Sequence, residues 1–539
     1  MLRSTRTRAA FVAATALVVT GLGHVPAQAA SDPTPAQLAG DWMLGNLNAD
    51  GLLTGAYTDI DGSTKTFVDH GSTVDLAFSL DAAGGRDAEV AQLTDAVAAT
   101  IADYTTDGDA TYSGSSAKAL ALATSEGRDP RTFGGVDLLA QVEETVITAG
   151  PSTGRLQDLD PTPTEWFDDY ANTIGQAFAA RSLTRAGSSL ADEATDFLLL
   201  QQCDAGFFRL DFTKDKAATD QSCDGAAGTV DVDGPDVTAL VTLQLAAIDA
   251  PDADVTAALA DAKAWLAAQQ TADGGFGSSQ NGTNANSTGL TGAALAALGD
   301  KARATKGATW LRARQVIGAC DGKLAPETGA IAYDDATLAT GRKDGITDPL
   351  DRLQWVMSGA QGLAGLASAP ATTSAEGASL RTPKFAKAGT KLKVTVRGLA
   401  AGERACVTGL GAPRQVVGAG KLTVTATVKA GTVRPTLRTA TESVQQAGGT
   451  KVLGKKKLKV ALAKKQVTRN AKVKVTVKGL AAGEKVTIKL RGKKVASGTA
   501  NAKGVLTRTI KVGKAKGVAK VSVQGQYATR TGTAKVQVR

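Results

Sequence analysis

Across the first two thirds of the chain, apolar residues recur at helical spacing in runs rich in Ala and Leu, over 73–80, 116–123, 172–183, 236–248, 288–298 and 358–366. Between them lie segments with one charged face, over 36–47, 88–104, 136–147, 190–202, 255–270 and 303–316. Small-residue helices approach each other closely and suit an inner ring, whereas amphipathic ones suit an outer ring. The alternation therefore predicts six pairs closed into an all-α barrel, repeating at roughly 40 to 65 residues. Beyond a small-residue stretch at 365–379 the period changes to two. Lys and Val alternate in KLKVTVRGLAAGE (391–403), and KVKVTVKGLAAGE (472–484) repeats it 81 positions later. With LTVTATV, VTIKL, LTRTIKV, AKVSVQG and AKVQVR, this predicts two small all-β Ig-like sandwiches.

These patterns divide the chain into a signal peptide (1–29), a helical barrel (30–368), a linker (369–379) and β modules at 380–460 and 461–539. The leader is read from Arg3, Arg6 and Arg8, an apolar run to about Gly21, and Ala27-Gln28-Ala29 before the cut. No other stretch approaches ~20 uninterrupted apolar residues, so no membrane span is expected. The mature protein is expected outside the cell or at its envelope. Four cysteines in an exported chain favour disulfides over metal ligation. Cys203 and Cys223 flank one insertion and are the expected pair. Cys320 and Cys406 then either bridge the barrel to the next module or stay free.

The net charge of +9 hides a division. Residues 379–539 hold 37 Lys and Arg against Glu403, Glu442 and Glu484, a net +34, while 31–378 hold 21 basic and 49 acidic residues, a net −28. The basic part is suited to anionic polymers, membranes, nucleic acid or the acidic barrel itself. Export favours an anionic wall polymer over nucleic acid, and a merely solvated lysine surface is the plainer reading.

Three turns carry a resemblance: NADGLLTG (48–55), QQCDAGFF (201–208) and QQTADGGFG (269–277). They look like the Gln-x-x-x-Gly-x-Phe/Trp turns of the terpene cyclase and protein prenyltransferase superfamily. The similarity covers about 36–369 and implies an α/α-toroid fold. That superfamily holds cyclases, prenyltransferase β subunits and non-enzymatic vitamin carriers. Cyclases of this kind need an Asp-x-Asp-Asp acid. Here the nearest text is DVDGPDVTALV (231–241), where Gly234 and Pro235 interrupt the acids before Asp236. Prenyltransferases hold zinc on Asp, Cys and His, and His70 is the one histidine left after the leader. Both departures imply a binding member of the fold, with no metal or cofactor expected.

Candidate residues follow from composition and helix starts. Inner helices open with GST (71–73), GSS (114–116), Asn172-Thr173, GPDVT (234–238) and NANST (284–288), whose polar side chains cap free amides. If the helices run parallel, these caps gather at one mouth that suits an anionic or hydroxyl-bearing ligand. Asp236, Thr238, Asn286 and Thr288 are its expected ligand-binding residues, and ordinary capping is the plainer reading. EWFDDYANT (165–173) gathers Trp166, Phe167 and Tyr170 among Glu165, Asp168 and Asp169, in a chain with 4% aromatics. Trp166 and Tyr170 form a stacking platform for a small molecule or glycan; otherwise the aromatics plug a helix joint. An enzyme acting on a lipid or glycan is the alternative, with Asp236, Glu165, Asp168 and Asp169 as its acids. A structural spacer is the third reading.

Overall fold

A computed structural model describes residues 31–163, 168–224 and 234–539. The leader, Glu165, Trp166, Phe167 and Asp231 lie outside the described residues. Among the described residues fourteen α-helices precede the β modules. These are α1 (Thr34–Leu44), α2 (His70–Ala83), α3 (Asp87–Ala99), α4 (Ile101–Thr105), α5 (Ser113–Ser125), α6 (Leu138–Thr145) and α7 (Thr173–Ala186). They continue with α8 (Ala191–Leu199), α9 (Asp236–Leu245), α10 (Ala253–Ala268), α11 (Ala285–Ala297), α12 (Lys301–Arg312), α13 (Asp335–Asp344) and α14 (Pro349–Leu366). Helices α2, α5, α7, α9, α11 and α14 each pack on the next, and α14 packs back on α2. Around this inner ring α3, α6, α8, α10, α12 and α1 pack on α2, α5, α7, α9, α11 and α14. The result is an (α/α)6 toroid.

Small residues permit the inner contacts. A Cβ on Gly289 of α11 would stand 2.2 Å from the carbonyl oxygen of Gln361 on α14. No side chain larger than hydrogen fits there without parting the two helices.

The turns explain why Gln and Gly recur. Gln202 donates from Nε2 to the carbonyl of Gly206 (3.0 Å) and to that of Ala258 on the next outer helix, α10 (3.0 Å). Gln270 does the same to Gly274 and to Arg303 of α12, both at 3.0 Å. The glycine is required twice over: Gly274 has φ +97°, and a Cβ there would lie 2.9 Å from the carbonyl oxygen of Lys306 on α12. Each turn is then clamped from the following inner helix. Thr73, Thr238 and Thr288 accept the N–H of Leu53, Phe208 and Phe276 at 2.9–3.0 Å.

The ring closes by the same contacts. Gln315 donates to Gly329 (3.1 Å) and to Pro35 of α1 (2.7 Å). Trp42 of α1 donates from its indole to Glu327 (2.8 Å), as Trp310 of α12 does to Asp273 (3.0 Å). Thus α1 stands to the last turn as α12 stands to the one before it.

Asn172 and Asn284 cap their helices as expected, and the other inner-helix starts differ. Asp69, Asn172 and Asn284 cap α2, α7 and α11. The cap of α5 comes from Asp158, which accepts the N–H and hydroxyl of Ser113, both at 2.7 Å, rather than from Ser115 or Ser116. Helix α9 follows Pro235 and has no side-chain cap among the described residues.

In the first β module the strand Lys391–Arg397 pairs antiparallel with Leu422–Thr427 and Ser379–Arg381. In the second, Lys472–Lys478 pairs with Lys459–Leu462 and Val505–Lys511, facing a sheet built on Lys485–Leu490, Gly517–Gln524 and Arg530–Val538. Lys456–Lys457 and Lys459–Leu462 both bond into this second sandwich, so it begins upstream of 461. Alternating valines fill each core.

Both disulfides form, Cys203–Cys223 and Cys320–Cys406, and the second ties the toroid to the first β module. Beside it Arg404, 1% exposed, reaches Asp321 and the carbonyl of Gln315. Asp321 also holds Arg342 at 3.1 Å.

Candidate functional site

The toroid has a hollow axis. A cavity of about 710 Å³, counting the space at its mouth, is lined by five of the six inner helices. Its wall carries Phe78, Leu243, Leu290 and Ala360 beside Asp75, Arg181, Gln244 and Gln361, with Asp81 at an exposed rim.

Asp75 and Arg181 of this wall, and Lys118 of α5 beside it, interrupt the small-residue inner helices, and each is held in place. Lys118 of α5 bridges to Asp75 of α2 at 2.6 Å and donates to the carbonyl of Gly71. Burial works against its charge, yet Asp75 and the other neighbouring groups hold the ammonium above its ordinary range. Arg181 of α7 donates to Gln244 Oε1 (2.9 Å) and Ser125 Oγ (2.7 Å). Among the described residues no carboxylate is in salt-bridge contact with it. Burial and then neighbouring Arg185 lower its pKa, though a guanidinium stays charged at any ordinary pH. Below the cations Phe78 and Phe178 stack at 5.9 Å, with Arg181 5.5 Å from the first ring centroid and Lys118 5.7 Å from the second. Such contacts hold a guanidinium in a fixed pose over an apolar floor.

A second hollow, about 780 Å³ with its open mouth, lies where α9, α11 and α14 begin. Asp236, Asn281, Asn284, Asn286, Tyr333 and Gln354 line it beside Leu350 and Met357, which are 38% and 39% exposed. Among the described residues the buried Oδ1 of Asn286 has no hydrogen-bond partner. Burial, then the charge of Asp236, raises the Tyr333 phenol above its ordinary pKa.

The expected site residues separate. Asp236 and Asn286 line the mouth together. Thr238 and Thr288 are fully buried, their hydroxyls engaged by the turns. Asp169 accepts the N–H of Asp158 and of Ala171 and bridges to Lys216 at 2.8 Å, and exposed Asp168 accepts the N–H of Asp169. Tyr170 is 64% exposed and lines neither hollow. His70 is buried, bonds Thr100 at 2.9 Å and stacks on Tyr104, and burial lowers its pKa. Sequence reasoning missed Asp75, Lys118 and Arg181. Their signal was the charge itself, set within otherwise small apolar runs.

No family model matches the chain, and no curated protein matches it. Among solved structures it is similar to a type II terpene cyclase, MstE from Scytonema, at 14% identity and TM-score 0.42, covering 62% of this chain and 97% of that one. The Escherichia coli adhesin FdeC (19%, TM-score 0.22) and the Yersinia pseudotuberculosis adhesin InvE (16%, TM-score 0.18) are similar over 32% and 31% of this chain and 66% and 60% of theirs. These are likenesses of outline.

Proposed function

We propose that this is an exported binding protein whose toroid takes a small amphipathic molecule with an anionic head group along its axis, carried on the two β modules. The observation that supports it is Arg181, a cation at an apolar cavity, oriented by neutral Gln244 and Ser125 and a ring rather than by an acid. A ligand carboxylate or phosphate would supply the missing counter-charge, and Phe78, Leu243 and Leu290 would meet its apolar body. Carriage suits the site better than turnover. The cavity's inner carboxylate, Asp75, is paired with Lys118, and Asp81 stands in solvent at the rim.

Native mass spectrometry of the full-length protein recovered from its producing organism tests this. One excess mass per chain, lost on denaturation and lost from Arg181→Gln, is the expected result. A ligand retained equally by Arg181→Gln would overturn the assignment.

The mouth supports a second reading, a hydroxyl-rich ligand such as a glycan. The unpartnered Asn286 amide oxygen, further amides and an exposed Leu/Met surface offer the hydrogen bonds and apolar contact such a ligand uses. Under it, Asn286→Ala rather than Arg181→Gln abolishes retention.

A further inference from the structure

The duplicated β modules place the same strand differently against charge. In the first, Lys391 and Lys393 stand directly opposite Thr427 and Thr425, and Arg397 opposite Ser379. In the second, Lys472 stands opposite Lys511 and Lys478 opposite Lys459 on the three-stranded face, where Lys472, Lys474 and Lys478 also follow one strand; on the other sheet Lys520 stands opposite Lys535 and Lys489 opposite Lys494. Like charges directly opposed across a ladder repel and destabilise the sheet. The sister module shows that the fold does without them.

Nothing within the second module offsets that repulsion. Residues 461–539 hold 20 Lys and Arg against a single acid, Glu484, which is fully buried and paired with Arg530 at 2.7 Å. Lys459, Lys472, Lys474, Lys478 and Lys511 are all exposed on the one face. At about 3.3 Å per residue they line a track roughly 20 Å long, with Lys472 and Lys474 about 7 Å apart.

From this track we infer that the three-stranded face of the second β module binds a linear phosphodiester polymer of the polyol-phosphate kind. Lysine ammoniums meet phosphates as point charges, whereas planar carboxylates are better matched by the arginine fork, which this face lacks. Base recognition is disfavoured by composition. Phe385 and Tyr527 are the aromatic residues of 379–539, and neither lies on these three strands, whereas single-stranded nucleic acid is gripped by stacking. The two disulfides also suit an oxidising compartment.

The test uses the full-length protein with poly(glycerol phosphate) as probe at about 0.15 M salt. One variant changes Lys459, Lys472, Lys478 and Lys511 to Thr. A second, of equal charge, changes Lys485, Lys489, Lys520 and Lys535 of the opposite sheet. The first is expected to weaken binding about tenfold or more and to flatten the slope of log affinity against log salt by roughly 3, near 0.7 for each phosphate no longer neutralised. The second should stay within about twofold, which separates a docking face from bulk attraction. Both variants relieve opposed pairs and should melt no lower than wild type, so binding lost in the first alone cannot be lost folding. Equal losses in the two variants, or no loss in the first, would overturn the inference. Duplex DNA bound as tightly through the same lysines would overturn the ligand class.

Discussion

Glu403 and Glu484 occupy the same place in the duplicated Gly-Leu-Ala-Ala-Gly-Glu turn, and the same substitution is expected to act differently at each. Glu484 Oε2 accepts the N–H of Ala481 at 2.7 Å, as Glu403 Oε2 accepts that of Ala400 at 2.8 Å. Beyond this shared bond their surroundings diverge. Glu484 is fully buried and holds Arg530, 5% exposed, through two bonds of 2.7 and 2.8 Å. Glu403 faces Arg312 of the toroid at 3.7 Å, and Arg312 is already paired with Asp32 at 2.8 Å. Burial disfavours the charge of Glu484, but Arg530 and the N–H groups of Ala481 and Gln526 outweigh it and hold its pKa below 4.5. At Glu403 burial wins and raises the pKa above 4.5.

Glu484→Gln strands a buried guanidinium, which costs about 3–5 kcal/mol. At about 1.4 kcal/mol per decade, that is a drop of roughly two to three and a half decades in exchange protection. Glu403→Gln keeps the bond to Ala400 and removes a disfavoured charge, so it should stay within about 1 kcal/mol. Hydrogen exchange of the full-length protein reads this out at Lys485–Leu490 and Arg530–Val538 for the first variant and Arg404–Thr408 for the second. The pH dependences oppose each other. The Glu484 contribution is present above about 4.5 and is lost as pH falls through its lower folded value. The Glu403 contribution is present below about 4.5 and is lost as pH rises through its higher folded value. Protection within tenfold of wild type in Glu484→Gln, or an equal loss in Glu403→Gln, would refute the reasoning.

Thr288→Val keeps shape but leaves the buried N–H of Phe276 without its 2.9 Å acceptor; a loss of about 1–3 kcal/mol in urea unfolding of the toroid is expected. At the junction with the first β module, Asp321→Asn should cost about 3–5 kcal/mol because it leaves Arg404 buried and unpaired. Arg404→Met should cost less, since Asp321 retains Arg342; limited proteolysis across the linker will show whether that order holds.

The inner helices were legible because small apolar runs have few other uses, and two Gln/Gly turns because four residues separate the two ends of each clamp. The third such clamp was hidden. Gln315 and Gly329 are 14 positions apart, with Cys320 and Asp321 between them serving the β module. Asp158 escaped notice as the cap of α5 because it acts across 45 residues. The axial cavity was out of reach for a different reason. Periodicity identifies an apolar helix, but not which of its residues look down the axis and which meet the outer ring, so nothing in the pattern singled out Asp75 or Arg181. Opposed lysines likewise depend on strand register, which the alternating pattern alone does not fix.

Closure of the toroid sets an order of assembly. Helix α1 is gripped by Gln315 and Arg312 across sequence separations of 280 residues, through Pro35 and Asp32. Contacts that distant raise the contact order and are among the last a chain can make. When the amino end emerges first, the apolar side of α1, with Ala39, Trp42 and Met43, therefore waits without its partners while five other helical pairs form. An arrested chain ending before α14 would present two sticky flanks, one on each side of the gap, and each could accept the flank of another copy. The fold thus leaves these apolar flanks uncovered until α14 seats against α1 and α2.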